Sequence, residues 1–398
     1  MTTILLVIIY LSFISLGLPD SLLGAAWPVM QIDLGAPLNT AGFLSMTIAG
    51  GTIVSSLFSG KFLKRFGTGK VTFVSVLLTA GALFGFHFAS SVLWLVICAI
   101  PLGIGAGAVD AGLNDYVAVN YKAHHMNWLH CFWGVGATLG PIIMARFIMQ
   151  DQSWRSGYFA ISSIQFALVI VLLFSLPLWS KVTKNKEIPA KDETGESNRA
   201  IEESNQKPLQ IKGVKLALVA FLFYCGAEAT VGLWGSSFLV SVKGLNPATA
   251  AGWVSLYYAG ITVGRLITGF ITFKLSNGTL IRIGQIIALS GAIILFLPLP
   301  PYFSLVGFII IGLGLAPIFP GMLHETPARF GKKHSQTIMG YQMAAAYTGT
   351  TFIPPLLGFV ASQTTIGIFP ICVLMFIAVM LLSSEKLNRL LGDLVFSK

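Results

Sequence analysis

Three carboxylates, Asp20, Asp110 and Glu228, stand inside apolar stretches long enough to cross a bilayer, in a 398-residue chain of which only 10% is charged. An ionised side chain at the centre of a membrane helix costs about 2.5–3.5 kcal/mol on insertion scales, so such groups face water or a partner and mark an ion or substrate route. A carboxylate shielded from bulk water can hold a proton and release it when water or a cation arrives. That is the chemistry a proton-coupled carrier needs.

The residues around each acid set out what must position it. Gly103, Gly107, Asp110 and Asn114 recur at spacings of four, three and four, which places them on one helix face. Small residues there admit a neighbouring helix while two polar groups share one space. Asp110 is therefore expected to carry the coupling proton, with a plain interhelical hydrogen bond as the structural alternative. Asp20 shares a stripe with Gly17, Gly24 and Trp27. Counting from helix midpoints at a 1.5 Å rise, Asp20 lies roughly 6 Å to one side of centre and Asp110 roughly 7 Å to the other. Two stations along a path are expected, with Asp20 binding substrate hydroxyls or serving as the outer proton station; the reverse assignment stays open.

Asn127, His130 and Gly134 form a comparable face. Histidine donates and accepts hydrogen bonds and titrates near physiological pH, so His130 reads either as a substrate or proton ligand or as an interfacial residue. Glu228 and Arg265 differ in depth by about 6 Å, a gap an arginine can bridge, and pairing would make them structural or gating groups. Direct contact with the substrate or the coupling proton is the equal alternative for Glu228, and snorkelling to the surface is the alternative for Arg265. Trp27, Trp234, Tyr257, Tyr258 and Tyr347, with the Gln342 amide, offer ring faces and polar edges suited to a sugar. Each alone reads equally as packing or as an interface anchor. With a single arginine in reach, the set favours a neutral polyhydroxylated solute over an anion.

These residues require helices. The chain is 55% hydrophobic, with mean hydropathy +0.80, and its apolar runs show no alternation, which excludes an outer-membrane barrel. Spans are expected at 4–29, 40–60, 70–89, 92–118, 126–148 and 157–178, then at 213–241, 248–272, 280–299, 302–326, 335–359 and 366–384. Numbered in that order they make twelve helices, an all-α membrane protein with an N-terminal bundle over 1–179 and a C-terminal bundle over 213–398. Residues 180–212 are polar and read as a solvated linker. The first apolar run lacks a basic start and a convincing cleavage site, so it is expected to be helix 1 and not a signal peptide.

The net charge of +10 does not imply nucleic acid, because the cations occupy alternate loops. Lys61, Lys64, Arg65, Lys70, Lys122, Lys274, Arg282, Arg329, Lys332 and Lys333 fall on one side with the linker; Arg146, Arg155 and Lys243 fall on the other. This bias predicts a multi-pass protein of the cytoplasmic membrane with both termini in the cytoplasm. Cys98, Cys131, Cys225 and Cys372 lie at unrelated spacings within spans and make neither a disulfide framework nor a metal site. With no recognisable nucleophile, metal cluster or phosphate loop, neither an enzyme nor a cofactor is expected.

The halves repeat. Gly60 precedes Gly103 as Gly269 precedes Gly312, and the same displacement of 209 residues lays Arg65 on Lys274, His125 on His334, Asn127 on Gln336 and Gly140 on Gly349. The segment GKFLKRFGTGK (60–70) resembles the signature loop of the major facilitator superfamily through Gly60, Arg65, Gly67 and Lys70, with Lys64 in place of the motif's aspartate. That resemblance implies two pseudo-symmetric six-helix bundles, alternating access around a midplane site, and a monomer in the lipid bilayer. It also implies an inner gate in which Arg65 pairs with an acid at the inner end of helix 4, here Asp115. GLPD (17–20), GAVDAGLN (107–114) with NWLH (127–130), and GAEATVGLW (226–234) resemble the fucose:proton symporter branch. Asp110 replaces that branch's glutamate and His130 its amide.

The function implied is proton-coupled symport of a sugar or polyol, with sodium as the other possible coupling ion. The segment GATLGP (136–141) resembles the glycine-proline motif of drug antiporters, although Met144 and Ala145 replace its closing glycines and Asn127 its leading one. A proton-coupled exporter is the alternative reading. A receptor without transport is a third, and the intramembrane acids count against it.

Overall fold

The computed structural model describes residues 2–121, 123–151, 153–184, 208–272 and 274–396. Among them, twelve helices are long and apolar enough to cross a membrane: α1 (Thr3–Asp33), α2 (Thr40–Phe66), α3 (Thr68–His87), α4 (Val92–Val117), α5 (Trp128–Gln150), α6 (Trp154–Trp179), α7 (Val214–Ser241), α8 (Pro247–Ile271), α9 (Asn277–Phe296), α10 (Pro301–Phe330), α11 (Thr337–Gln363) and α12 (Ile366–Leu391). No strand occurs among the described residues. The all-α architecture is the predicted one. Most of the expected linker lies outside the described residues.

Local chemistry fixes the helix ends. Ser91, Asn246 and Ser276 accept from the backbone N–H groups of Trp94, Thr249 and Thr279 and so cap α4, α8 and α9, each satisfying a donor that has no partner within its helix. The signature segment 60–70 is mostly helix rather than loop, because α2 continues to Phe66 and α3 starts at Thr68. Gly67 alone makes the turn, at φ +79°, a conformation open to glycine at little cost.

The repeat seen in sequence recurs as packing. A Cβ on Gly103 would lie 2.1 Å from the Ile48 carbonyl oxygen, and one on Gly312 2.2 Å from that of Tyr257. Gly105 meets the Ser75 oxygen at 2.6 Å as Gly314 meets that of Gly284 at 2.6 Å. Gly51 and Ile100 are likewise repeated by Gly260 and Ile309. In each case both partners shift by 209 residues, so α4 sits on α2 and α3 as α10 sits on α8 and α9. Cations tie the same end of both halves. Arg155 donates to the Ala89 carbonyl at 2.8 and 3.2 Å and pairs with Asp33 at 2.5 Å; Lys243 donates to Leu299 at 3.1 Å. Each cation meets carbonyls just beyond α3 or α9, where the helix dipole favours positive charge.

Helix α1 breaks at Ser21 into Thr2–Asp20 and Leu22–Asp33. Pro19 has no N–H to give the Ser15 carbonyl, and the buried Gln165 amide donates to that carbonyl instead, at 2.7 Å. The second part of α1 lies against α7: a Cβ on Gly24 would come within 2.1 Å of the Gly232 oxygen, and Ser236 donates to the Ala25 carbonyl at 3.4 Å. Gly42 of α2 meets Pro355 of α11. These contacts seal one end of the interface between the halves. At the other end the halves part around a cavity of about 1260 Å3.

Candidate functional site

The cavity reaches from Gly24 and Gly232, beneath the seal, to Met126, Asn277 and His324 at its mouth. The mouth is on the side of the α2–α3, α4–α5, α8–α9 and α10–α11 connections. Asp20, Asp110, Glu228, His130, Tyr258 and Arg265 all line it. Six residues scattered over five helices and both halves thus face one space.

Helix α5 is the keystone of that arrangement. A Cβ on Gly136 would lie 2.1 Å from the Ile14 oxygen and one on Gly140 2.5 Å from the Leu18 oxygen, so α5 lies backbone to backbone against α1. Gly134 turns the other way, onto Thr262 of α8. The glycines of GATLGP and the residues just before it are therefore explained by close packing. Gly17 of α1 meets the Trp133 carbonyl, its absent Cβ 2.1 Å from that oxygen. One turn on, the Trp133 indole N–H donates to Asp20 Oδ2 at 2.7 Å. The guanidinium of Arg265 lies over the same ring, 5.2 Å from its centroid, within cation–π range. Arg265 also approaches Glu228 Oε1 at 3.8 Å, with the two side chains 14% and 19% exposed.

Asp110 has a different environment. Asn114, one turn along α4, donates to its Oδ1 at 2.9 Å and to its carbonyl at 3.0 Å. His130 stands edge-on to Phe13 with ring centroids 6.0 Å apart. On the opposite wall the Tyr258 hydroxyl occupies the space a side chain at Gly232 would need, and the Tyr257 hydroxyl donates to the Glu228 carbonyl at 3.2 Å. The site offers two carboxylates held by single donors, one acid beside a cation, an imidazole and phenol edges. Such a set can bind hydroxyl groups and exchange protons with water.

Residues 9–354 match the model of the Major Facilitator Superfamily. The chain belongs to that superfamily. It is a multi-pass membrane transporter, not an enzyme. Curated relatives include the glucose/mannose transporter GlcP of Bacillus subtilis, 25% identical over 82% of this chain and 79% of that protein. The human sodium-dependent glucose transporter 1 is 22% identical over 87% and 71%, and the yeast bypass of stop codon protein 6 is 25% identical over 94% and 80%. Among solved structures, the nucleoside transporter NupG superposes with a TM-score of 0.70 at 13% identity, covering 96% of this chain and 98% of that one. The Escherichia coli fucose:proton symporter FucP gives 0.60 at 15%, covering 96% and 98%. These superpositions show the major facilitator fold.

Several predicted residues of this transporter have other roles. Trp27 and Trp234 do not reach the cavity; both are fully buried. Trp234 donates to the Pro354 carbonyl at 2.8 Å beneath Gly358, inside the C-terminal half. Gln342 is buried and accepts from Thr326 at 2.9 Å, which ties α11 to α10. Asn114 serves Asp110 and is absent from the cavity lining. Asn127 lies in the helix that begins at Ala123, and its side chain lies outside the described residues. Arg65 and Asp115 are both exposed, and Arg65 lies over Phe66 at 5.3 Å. The pair expected between them is not among the ion pairs of the described residues.

Sequence reasoning missed Trp133 as a site residue. The signal was available, since Trp133 follows His130 by three positions and shares its face. It also missed the mouth, where Asn277 and His324 bond at 3.0 Å and Glu325 pairs with Arg329 at 3.3 Å. Polar residues at the end of a span read as solvated, so nothing in their pattern marks a cavity rim.

Proposed function

We propose that this transporter imports a sugar or related polyol by proton-coupled symport, and that the cavity opens to the cytoplasm. The observation that carries the reading is the convergence of Asp20 and Asp110, each held by one neutral donor, on a cavity shared with His130 and Tyr258. The relatives named as glucose transporters support the substrate class. Asp110 holds the coupling proton, with Asn114 fixing its orientation. Asp20 is a second proton station and, with His130 and Tyr258, meets the substrate hydroxyls. Glu228 and Arg265 act as a gating pair on the opposite wall, and Arg65 and Asp115 meet when the mouth closes. The placement of cations favours a cytoplasmic mouth, both termini inside, in the plasma membrane. No cofactor enters this cycle, and the working unit is a monomer.

The test is transport by purified protein in liposomes. One unit of inward pH gradient supplies about 1.4 kcal/mol per proton, enough for about tenfold accumulation of a labelled monosaccharide. Asp110→Asn is expected to abolish accumulation while sparing exchange of labelled for unlabelled sugar. Expulsion of a lipophilic dye without sugar movement would sink the symport reading. Accumulation driven equally by a sodium gradient would assign the coupling to sodium.

A further inference from the structure

We propose that Trp133 is a positioning residue that couples the protonation of Asp20, in the N-terminal half, to the Glu228 and Arg265 pair in the C-terminal half. The inference rests on the proton-coupled reading above. Four side chains form a continuous series across the interface: Asp20 on α1, Trp133 on α5, Arg265 on α8 and Glu228 on α7. The contacts are 2.7 Å from indole N–H to carboxylate, 5.2 Å from guanidinium to ring centroid, and 3.8 Å from guanidinium nitrogen to carboxylate.

An indole has a single N–H, and here Asp20 takes it. A hydrogen bond to an ionised carboxylate is roughly twice as strong as one to a neutral acceptor. Donating to an anion also draws electron density into the ring, and a cation over the ring face is held by that density. With Asp20 ionised, Trp133 grips both partners. When a proton joins the Asp20 carboxyl, the N–H bond slackens and the ring loosens its hold on Arg265. Arg265 is then free to close on Glu228, which it meets at 3.8 Å, beyond hydrogen-bond reach.

The backbone that carries the ring is held from both sides. Gly17 of α1 packs on the Trp133 carbonyl, and the next residue, Gly134, packs on Thr262 of α8. The titratable and charged groups that share the cavity with Asp20 include Asp110 on α4 and His130 on α5 from its own wall, and Glu228 on α7 with Tyr258 and Arg265 on α8 from the opposite wall. Of these groups Arg265 alone bears a fixed positive charge, and Trp133 touches both it and Asp20. The proton stays on oxygen throughout; only its neighbours' contacts rearrange.

The first readout needs no sugar. The tryptophan emission of purified protein in lipid nanodiscs, minus that of Trp133→Phe, is expected to titrate with pH, and the titration should vanish in the Asp20→Asn background. A flat difference signal, or one that titrates unchanged in Asp20→Asn, overturns the coupling. In liposomes, Trp133→Phe keeps the ring and loses the N–H. It should lower the roughly tenfold accumulation that one pH unit supports toward unity, a larger factor than any loss in sugar exchange. Trp133→Tyr, which restores a polar edge, should recover part of it and serves as the second variant if the phenylalanine form does not fold. Accumulation at the unmodified level in either variant overturns the proposal. If the unmodified protein moves no sugar, the symport reading fails, and the fluorescence titration still decides the coupling.

Discussion

The two walls of the cavity share a backbone and differ in chemistry. Asp20, Asp110 and His130 line the N-terminal wall; the residues 209 positions later, Ala229, Phe319 and Met339, line the C-terminal wall. These three polar groups thus face the same space as the apolar groups at the equivalent places in the other half. The glycine contacts are repeated nearly to the atom, Gly103 on Ile48 and Gly312 on Tyr257. Duplicated helices keep what lets them approach, because any added side chain there meets a carbonyl. They are free to change what faces an aqueous cavity, where no neighbour constrains volume. The C-terminal wall carries its own set instead, Glu228 with Arg265 and the Tyr258 phenol.

This contrast can be broken experimentally, most severely at the acid. Asp110→Asn should remove all proton-driven accumulation, whereas Phe319→Leu at the matching position should leave the accumulation ratio unchanged in the same liposome assay. Next in size are the shared glycines. Gly103→Ala and Gly312→Ala each force a methyl into a backbone carbonyl, and overpacking of this kind costs about 1–3 kcal/mol. Thermal unfolding in detergent should show similar losses for the two, and a loss confined to one half would refute the equivalence. Smaller again is the effect at the cations of the sealed end. Arg155→Ala gives up charge-assisted bonds to Ala89 and the Asp33 contact, about 1–2 kcal/mol given partial exposure. Lys243→Ala, with its single carbonyl contact, should cost roughly half as much. Both variants should transport normally; a coupling defect in either would mean that these ties are part of the moving machinery.

What the sequence disclosed follows the same division. Long apolar runs revealed all twelve helices, since a bilayer-spanning helix must satisfy its backbone internally and so announces itself by length. The 209-residue shift was visible because glycine has no substitute where helices touch. Asp20, Asp110 and Glu228 were legible because charge inside a span demands a reason. Aromatic and amide residues carried no such marker: Trp27, Trp234 and Gln342 have the composition of a sugar site and lie buried in packing, while Trp133 in an equally apolar setting reaches the cavity. Which face of a fully apolar helix is wet depends on its neighbours, which one chain's periodicity does not encode. The Arg65 and Asp115 gate failed to appear for another reason. Arg65 and Asp115 stand exposed at helix ends on the open side of this conformation.

The uneven placement of charge also makes the carrier an electrical device. Arg265 offsets Glu228, which leaves Asp20 and Asp110 as the charges an empty transporter would move through the membrane field. Each elementary charge carried across 100 mV exchanges about 2.3 kcal/mol with that field. An acid that returns with its proton crosses without this work. The voltage sensitivity of the return step, recorded as a transient current without substrate, therefore counts how many of the two aspartates travel ionised.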